Sequence, residues 1–353
     1  MKSNRKCSDS EQVVIISYRG DLVNKETLIR DLTNLCAARG ISGREEKVRE
    51  LVISQLPNTV PYTVDNLGNL IVEIGVGEES IAIMAHMDEI GLMITGATSD
   101  GLLTFRKIGG FDDRLLLGAH LDVVTEKGVI DGVIGISPPH LGINQSTENL
   151  RIDIGANSLK EVQDIGVKVM DFAVFKKHAS VLNNRYFSMR SLDDRFGCLA
   201  LLYVLENVLK MNLNKKVFFV WTVQEEIGLK GAKAFVSRHN IDLCYAVDSF
   251  ACCSSLTGDV GCGKGPVLRM VDNSAIGSYD EMKKILDIAH RYDIPIQVGI
   301  TGGGTDGSVA MESGAKMVPI TLSVKYLHSQ AEYISLEDFQ NLVKLLTTLL
   351  ADR

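Results

Sequence analysis

One long segment of this chain lacks the helical patterns that lie on either side of it. On both sides, apolar runs that predict strands alternate with apolar residues at helical spacing. Between about Gly91 and Tyr186, short apolar runs instead alternate with turn signals such as Asp100-Gly101 and Asp131-Gly132. Because alternating helices and strands build one α/β sheet, we expect the outer parts to fold together around an inserted β domain.

The length of the chain supports this division. At 353 residues it exceeds the roughly 100–200 residues of most single domains, so two domains are expected. We place a discontinuous α/β domain at residues 21–90 and 187–353, and the inserted β domain at residues 91–186. The polar stretch before Asp21 is interpreted as an extension.

Apolar periodicity and turn residues predict a definite order of elements in the α/β part. Two capping-box patterns, Ser42-Gly43-Arg44-Glu45 and Ser278-Tyr279-Asp280-Glu281, are each expected to start a helix. The other predicted helices are 25–38, 196–210, 231–238 and 336–350. The predicted strands are 69–74, 80–87, 217–223, 243–247, 297–300 and 316–324.

Charge and apolar content exclude several classes of partner. The net charge is −7 and the longer basic patches are absent, which argues against nucleic acid. No apolar run approaches the ~18 residues that span a bilayer, and no signal-peptide pattern is found, so a cytoplasmic protein is expected. The 7 cysteines include no CxxC pair, and we interpret Cys252, Cys253 and Cys262 as ordinary loop thiols.

A histidine and an aspartate close the predicted strand 80–87. His86 and Asp88 are two positions apart, so on an extended chain their side chains point to the same side. Asp88 can then hydrogen-bond one ring nitrogen of His86 while the other nitrogen binds a metal. Taken alone, the motif is more often a satisfied polar pair at a strand end.

Two adjacent glutamates, Glu225 and Glu226, follow the predicted buried strand 217–223. Neighbouring carboxylates repel each other and are costly to bury unless a cation offsets their charge. One glutamate can bind a metal while the other takes a proton from water. This pair is the strongest single indication of a metal site, with solvated loop glutamates as the alternative.

Three further residues complete the candidate site. Asp193 precedes a predicted helix, where acidic residues are commonly N-caps, but its two oxygens also suit a bridge between two cations. Asp248 and His328 each follow a predicted strand, and ligand sites gather at strand ends in α/β sheets. Two imidazoles and three carboxylates suit Zn, Co or Mn, and two such ions would activate water for amide hydrolysis.

These motifs resemble the tetrahedral (TET) and glutamyl aminopeptidase family of two-metal peptidases, which includes FrvX-like proteins. The resemblance extends from about Thr27 to Leu349. The matching motifs are Ala85-His86-Met87-Asp88-Glu89-Ile90-Gly91, Pro138-Pro139-His140-Leu141, Ile152-Asp153-Ile154-Gly155-Ala156, Leu192-Asp193-Asp194-Arg195, Glu225-Glu226-Ile227-Gly228, Gly303-Gly304-Thr305-Asp306 and Tyr326-Leu327-His328-Ser329.

The resemblance implies a mixed-sheet catalytic domain of the zinc-exopeptidase type with an inserted small β-barrel domain. It implies two divalent ions per subunit, Zn first and Co or Mn as alternatives. It implies that Glu225 is the general base and that Asp88 orients His86. One metal site would be completed by His86 and Asp248, and the other by Glu226 and His328. Asp193 would bridge the two ions.

The resemblance also implies an assembly and a substrate loop. The inserted domain would help to build a hollow homo-oligomer, a dodecamer, and would line the route to the active site. Gly304, Thr305 and Asp306 would lie near the substrate, with a flexible glycine turn as the alternative interpretation.

The favoured hypothesis is a metal-dependent aminopeptidase that hydrolyses the N-terminal peptide bond of peptides. One alternative is an endoglucanase-type glycoside hydrolase, which would need two carboxylates and no metal, so the histidines argue against it. The other is a catalytically inactive self-assembling scaffold, which would be expected to lack a ligand or the base. The segment 189–191 and the Cys252-Cys253 loop depart from the family pattern, so substrate preference stays open.

Overall fold

The structure is a computed structural model that describes residues 23–138, 140 and 149–352. In this part of the chain the helices are α1 (Lys25–Ala37), α2 (Glu46–Gln55), α3 (Leu159–Ile165), α4 (Leu192–Val208), α5 (Lys230–Val236), α6 (Tyr279–Arg291), α7 (Gly307–Glu312) and α8 (Leu336–Ala351), with a 3₁₀ turn at Asp113–Leu116. None of these helices has the length and apolarity needed to cross a membrane. The predicted extension before Asp21 and part of the motif 138–141 lie outside the described residues.

The strands of the described residues form three sheets. They are β1 (Thr63–Val64), β2 (Leu70–Ile74), β3 (Ser80–His86), β4 (Gly91–Ala97), β5 (Leu103–Ile108), β6 (His120–Thr125), β7 (Gly128–Val133), β8 (Phe172–Phe175), β9 (Ser180–Leu182), β10 (Tyr186–Ser188), β11 (Lys216–Thr222), β12 (Leu243–Ala246), β13 (Ser249–Ala251), β14 (Val267–Val271), β15 (Gln297–Ile300), β16 (Lys316–Val324) and β17 (Tyr333–Ser335).

The largest sheet is mixed and has nine strands. Its order is β1-β2-β11-β3-β12-β16-β14-β15, and β13 pairs with β16. The central strands β11, β3, β12 and β16 are parallel to one another, while β2 and β14 run antiparallel to their central neighbours. Every residue of β3 is buried, as expected for an apolar strand covered on both faces.

Helices cover both faces of this sheet. The alternation of side chains along β3 directs Ile81 and Ile83 into a core shared with α1, α2, α4 and α8. Ala82 and Met84 point the other way, into a smaller core with α5 and α7. The expected mixed α/β architecture is therefore confirmed, and the central strands lie between two helical layers.

The segment between β3 and β9 contributes a five-stranded antiparallel sheet in the order β5-β4-β8-β6-β7. Its buried residues, such as Leu121 and Phe175, form a hydrophobic cluster of their own. Single bridges join Leu103 of β5 to Ile152 and Val133 of β7 to Asp153, so both edge strands contact one short segment. A short third sheet, β17-β10-β9, follows this region.

One predicted helix start is wrong. Helix α2 begins at Glu46, and its N-cap Glu45 makes no side-chain capping bond. Ser42 instead donates its hydroxyl hydrogen to Asp88, 2.6 Å away. The capping-box pattern was misleading because a buried carboxylate distant in sequence competes for the same serine.

The second capping box and the start of α4 also differ in detail. Ser278 precedes α6 as predicted, but its side chain makes no capping bond. Helix α4 is assigned from Leu192, four residues before the predicted start, although Asp193 and Asp194 have non-helical backbone angles. The peptide bond between those two aspartates is cis.

Candidate active site

Three parallel strands bring the first set of polar residues to one edge of the large sheet. Strand β3 lies between β11 and β12, and in the β3–β11 register His86 is opposite Thr222. Glu225 and Glu226 follow β11, and Asp248 follows β12. The strand ends therefore meet where the sequence predicted that they would, because parallel strands place their carboxyl ends together.

His86 is almost fully buried, with 2% of its surface exposed. Its Nδ1 lies 3.0 Å from the backbone oxygen of Asp88 and 3.5 Å from the Asp88 carboxylate. Its Nε2 lies 3.2 Å from Oδ1 of Asp193. A ring that donates Nδ1–H to Asp88 presents the lone pair of Nε2 to Asp193.

His328 approaches the same aspartate from the opposite side. Its Nδ1 lies 2.6 Å from the backbone oxygen of Gly110, which belongs to the segment after β5. Its Nε2 lies 3.1 Å from Oδ2 of Asp193 and 3.2 Å from Oε1 of Glu226. The second ring thus repeats the arrangement of the first, with a carbonyl on one nitrogen and carboxylates on the other.

Two overlapping groups of possible ligand atoms result. His86, Asp193 and Asp248 form one group, and Asp193, Glu226 and His328 form the other; within each group the atoms lie within 4.8 Å of one another. We call His86 with Asp248 the strand group, and Glu226 with His328 the loop group. Asp193 belongs to both, with one oxygen toward each histidine.

The donor set fits divalent cations. Neutral imidazoles held by Nδ1–H donation would aim their Nε2 lone pairs at the negative oxygens of Asp193, which is unfavourable unless a cation lies between. Imidazole nitrogens and carboxylate oxygens are the ligands that Zn, Co and Mn accept. The chemistry of these residues therefore agrees with the predicted metal site.

The acidic groups of the site are poorly solvated. Burial raises the pKa of Asp248 to about 7, and the nearby Asp193 adds to the rise. Burial also raises the pKa of Glu225, with Asp248 and Glu226 contributing. Burial alone would lower the pKa of His86, but its hydrogen bonds with Asp193 and Asp88 outweigh burial and raise it. The site thus concentrates negative charge that a cation would offset.

Asp88 organises the turn that carries the two glutamates. Its Oδ1 accepts the backbone N–H of Glu225 at 3.0 Å, and its Oδ2 accepts the N–H of Glu226 at 3.1 Å. The preceding residue, Gln224, has a positive φ of 54°. Asp88 therefore contacts both the His86 ring and the Glu225-Glu226 backbone, which is a wider role than the sequence indicated.

Sequence reasoning missed two buried acids beside the ligands. Asp194 accepts the N–H of His86 at 3.2 Å and that of Gly197 at 3.1 Å. Glu332 accepts the N–H of His328 at 2.9 Å, and burial raises its pKa to about 7. Their positions next to Asp193 and four residues after His328 were the only available signals.

The predicted substrate loop lies partly beneath the site. Thr305 and Asp306 are buried, and the Asp306 carboxylate accepts a hydrogen bond from Thr222. Gly304 lies beside Ser274, whose Oγ would be 3.0 Å from an added Cβ. A substrate role for these three residues stays a prediction.

Cys252 lies beside Cys253, with 3.0 Å between the sulfurs.

Comparison with known proteins decides the family. The family model described as M42 glutamyl aminopeptidase matches residues 68–345, which is most of the chain and includes every proposed ligand. The chain belongs to the M42 glutamyl aminopeptidase family. This finding confirms the resemblance inferred from the motifs.

Individual members of the M42 family resemble the chain over nearly their whole length. The TET1 peptidase of Pyrococcus horikoshii, which can assemble into a tetrahedron or a large octahedral shell, is 52% identical with a TM-score of 0.89, over 92% of this chain and 100% of that one. An aminopeptidase from Desulfurococcus kamchatkensis is 32% identical with a TM-score of 0.86, over 93% and 95%. The lysyl aminopeptidase of Pyrococcus furiosus is 30% identical over 89% and 94%.

Proposed function

We propose that this chain is an aminopeptidase that releases the N-terminal residue of peptides with the help of two divalent metal ions. The single observation that carries the proposal is the position of Asp193 between two imidazoles, with Oδ1 3.2 Å from His86 Nε2 and Oδ2 3.1 Å from His328 Nε2. Membership of the M42 family supports the activity. The relatives differ in the residue that their names specify, so we leave the preferred N-terminal residue open.

The proposed ligands are the strand group, the loop group and Asp193 as the bridge. Zn is the first choice, with Co or Mn as alternatives. When bound, such ions supply a more acidic water and an electrophile that polarises the scissile carbonyl. Nearby residues prepare the ligands: Asp88 and the Gly110 carbonyl fix the rings of His86 and His328.

Glu225 is the proposed general base. Its backbone N–H donates to Asp88. Its half-buried carboxylate interacts electrostatically with His86, Asp248 and Glu226. A carboxylate whose pKa is raised by burial can accept a proton and later donate it. Glu225 would take the proton of the attacking water and return it to the leaving amine nitrogen.

We further propose that residues 91–186 form an inserted small β-barrel domain, and residues 21–90 and 187–353 the catalytic domain. The bridges from Ile152 and Asp153 to both edge strands support closure of the inserted sheet. A homo-oligomer, and specifically a dodecamer, is proposed because one solved structure of the similar TET1 peptidase is a dodecamer. Sedimentation of the purified protein would measure the assembly.

Glycoside hydrolysis is the less favoured alternative. That reaction uses two carboxylates flanking the scissile bond and does not require imidazoles on a shared carboxylate. The pairing of His86 and His328 across Asp193 has no role in it. Cleavage of cellulose that survives complete chelation of metals would favour the alternative.

The variant Glu225→Gln tests the proposal. We expect it to retain the metal content of the wild type and to hydrolyse aminoacyl-anilides about 10²–10⁴-fold more slowly, the usual contribution of a general base. Metal analysis and steady-state rates measure the two quantities. The matched control is Glu73→Gln on β2, since Glu73 is exposed and pairs with Lys216 at 3.5 Å.

Two outcomes would contradict the proposal in different ways. A Glu225→Gln enzyme with the wild-type rate would exclude this residue as the base. A wild-type protein that binds no Zn, Co or Mn, and hydrolyses no aminoacyl-anilide after their addition, would exclude the metal-dependent activity itself.

A further inference from the structure

The loop that carries His328 is not held in place by a sheet. Strand β16 ends at Val324 and β17 begins at Tyr333, and one bridge, between Lys325 and Tyr333, closes the loop. Within it, Tyr326 and His328 have positive φ values of 59° and 61°. Such backbone angles are unfavourable for residues with side chains and persist only where the surroundings hold them.

Glu332 supplies such a constraint. Its Oε1 accepts the backbone N–H of His328 at 2.9 Å, and its Oε2 lies 3.5 Å from the backbone nitrogen of Asp193. Only 2% of the Glu332 surface is exposed, so water does not replace these contacts easily. One carboxylate therefore connects the backbone of the bridging residue with that of a loop-group ligand.

A buried arginine connects the His328 loop to the five-stranded sheet. Arg190 donates to the backbone oxygens of Ser329 at 3.2 Å and Ile90 at 3.0 Å, and its guanidinium lies 4.8 Å from the Phe175 ring centre. Its positive charge also attracts Glu332. Arg190 thus offsets the charge of Glu332 without contacting a ligand side chain.

Among the described contacts, Glu332 reaches the strand group only through the shared Asp193, whose backbone nitrogen lies 3.5 Å away, against 2.9 Å for that of His328. His86 ends a strand whose residues are all buried, and the Asp248 carboxylate accepts the N–H of the following Ser249 at 2.6 Å. The contacts described for Glu332 do not include either residue. Loss of Glu332 would therefore act on one side of the site more than on the other.

We propose that Glu332 is a positioning residue that sets the metal affinity of the loop group by holding the backbones of His328 and Asp193. This inference rests on the proposed function, because it assumes that the two groups bind cations. Residues that orient metal ligands typically change metal affinity 10–100-fold when they are removed.

The test compares Glu332→Ala and Glu332→Gln with the wild type and with Glu281→Gln. Glu281 is also a buried glutamate, but it lies on α6 and pairs with Lys284 and Lys316. Co²⁺ is titrated into metal-free protein, and visible absorption with calorimetry gives the number of ions bound and the affinity of each. Thermal unfolding of the metal-free proteins is measured in parallel.

We expect Glu332→Ala to bind one Co²⁺ with near wild-type affinity and the other 10–100-fold more weakly. Glu332→Gln should recover part of the loss, because its amide oxygen can still accept the N–H of His328. Glu281→Gln should bind two ions as the wild type does, even if its thermal stability falls.

Each outcome has a defined meaning. Wild-type affinities for both ions in Glu332→Ala would overturn the inference and leave the proposed function intact. Equal weakening of both ions, in proportion to a loss of stability that Glu281→Gln shares, would also overturn it. A wild type that binds neither Co²⁺ nor, in parallel titrations, Zn²⁺ or Mn²⁺ would overturn the proposed function together with this inference. If Glu332→Ala does not fold, the comparison of Glu332→Gln with Glu281→Gln decides.

Discussion

The two histidines of the site face the same carboxylate but are held by different kinds of structure. His86 ends a strand in the middle of the nine-stranded sheet, and only 3% of its side chain is exposed. His328 lies on a loop with a positive φ, and 29% of its side chain is exposed. The contrast indicates that the strand group is built into the core, while the loop group is assembled from separate parts of the chain.

The parts that assemble the loop group come from distant segments. Gly110, which accepts from His328, lies in the segment between β5 and β6. Arg190, which contacts the His328 loop at Ser329, also donates to Ile90, the residue before β4. The five-stranded sheet therefore contributes directly to the geometry of the loop group. By contrast, the strand group depends on two adjacent parallel strands, β3 and β12.

Asp193→Asn should have the largest effect, because Asp193 serves both groups. An amide presents one oxygen and one NH₂ group, so it cannot face two cations. We expect loss of at least one metal equivalent and of measurable activity, checked by metal analysis and aminoacyl-anilide hydrolysis. Asp122→Asn is the control. This aspartate is also buried, but its carboxylate pairs with Arg39, at a distance of 2.7 Å, and belongs to neither ligand group. Retention of both metals with wild-type affinity would mean that Asp193 does not bridge.

His86→Ala and His328→Ala test the contrast directly. Each should lose one metal ligand and most activity. In metal-free protein, His86→Ala should also lower the free energy of unfolding by about 2–5 kcal/mol, as other large-to-small changes in a core do. His328→Ala should cost less, because its ring is partly exposed. Equal losses in chemical unfolding curves would contradict the difference in burial on which the comparison rests.

Gly109→Ala should weaken the loop group alone. Gly109 has a φ of +80°, and an added Cβ would lie 2.4 Å from Ile90 Cγ2 and 3.3 Å from Glu226 Cβ. The resulting shift should move the adjacent Gly110 carbonyl away from His328. The binding affinity for one metal ion should then fall by about 10-fold. Gly135→Ala is the control, because its Cβ would meet open space. Weaker binding of the ion held by the strand group would show that the two groups are not independent.

Ser42→Ala should have the smallest effect on metal binding, because Ser42 contacts Asp88 and not a metal ligand. Any effect that passes through Asp88 should reach both groups. Removal of this hydroxyl donor to a buried carboxylate should lower the free energy of unfolding by about 1.5–3 kcal/mol. Both ions should still bind, since Asp88 keeps its bonds from the backbone of Glu225 and Glu226. Denaturation and Co²⁺ titration measure the two effects, with exposed Ser237→Ala as the control. Selective loss of one ion would mean that Asp88 supports one group only.

The meeting of the residues that follow the parallel strands could be predicted from sequence. The apolar runs before His86, Glu225 and Asp248 identify buried strands, and the rule that parallel strands gather ligands at their carboxyl ends predicts that these residues meet. That prediction agrees with the close approach of His86, Asp193 and Asp248 in the fold. The ligand roles themselves stay proposals that the variants above are designed to test.

The contacts that hold the ligands in place were harder to predict for a physical reason. Ser42 matched a local capping pattern, yet it bonds to Asp88, 46 positions away along the chain. Glu332 carries no motif, because its contacts are to backbone N–H groups, which every residue except proline has. Side chains that bind backbone leave no periodic pattern in a sequence.

The sequence by itself determined which segments become buried strands and which acids and imidazoles follow them, because apolar periodicity and turn residues are local properties. Only the tertiary structure decided that Asp193 lies between His86 and His328, and that Gly110 orients a ring 218 positions away. Those contacts depend on the order of strands in the sheet and on the packing of the inserted region, neither of which a local pattern specifies. The burial that makes a compensating cation favourable is likewise a property of the folded chain.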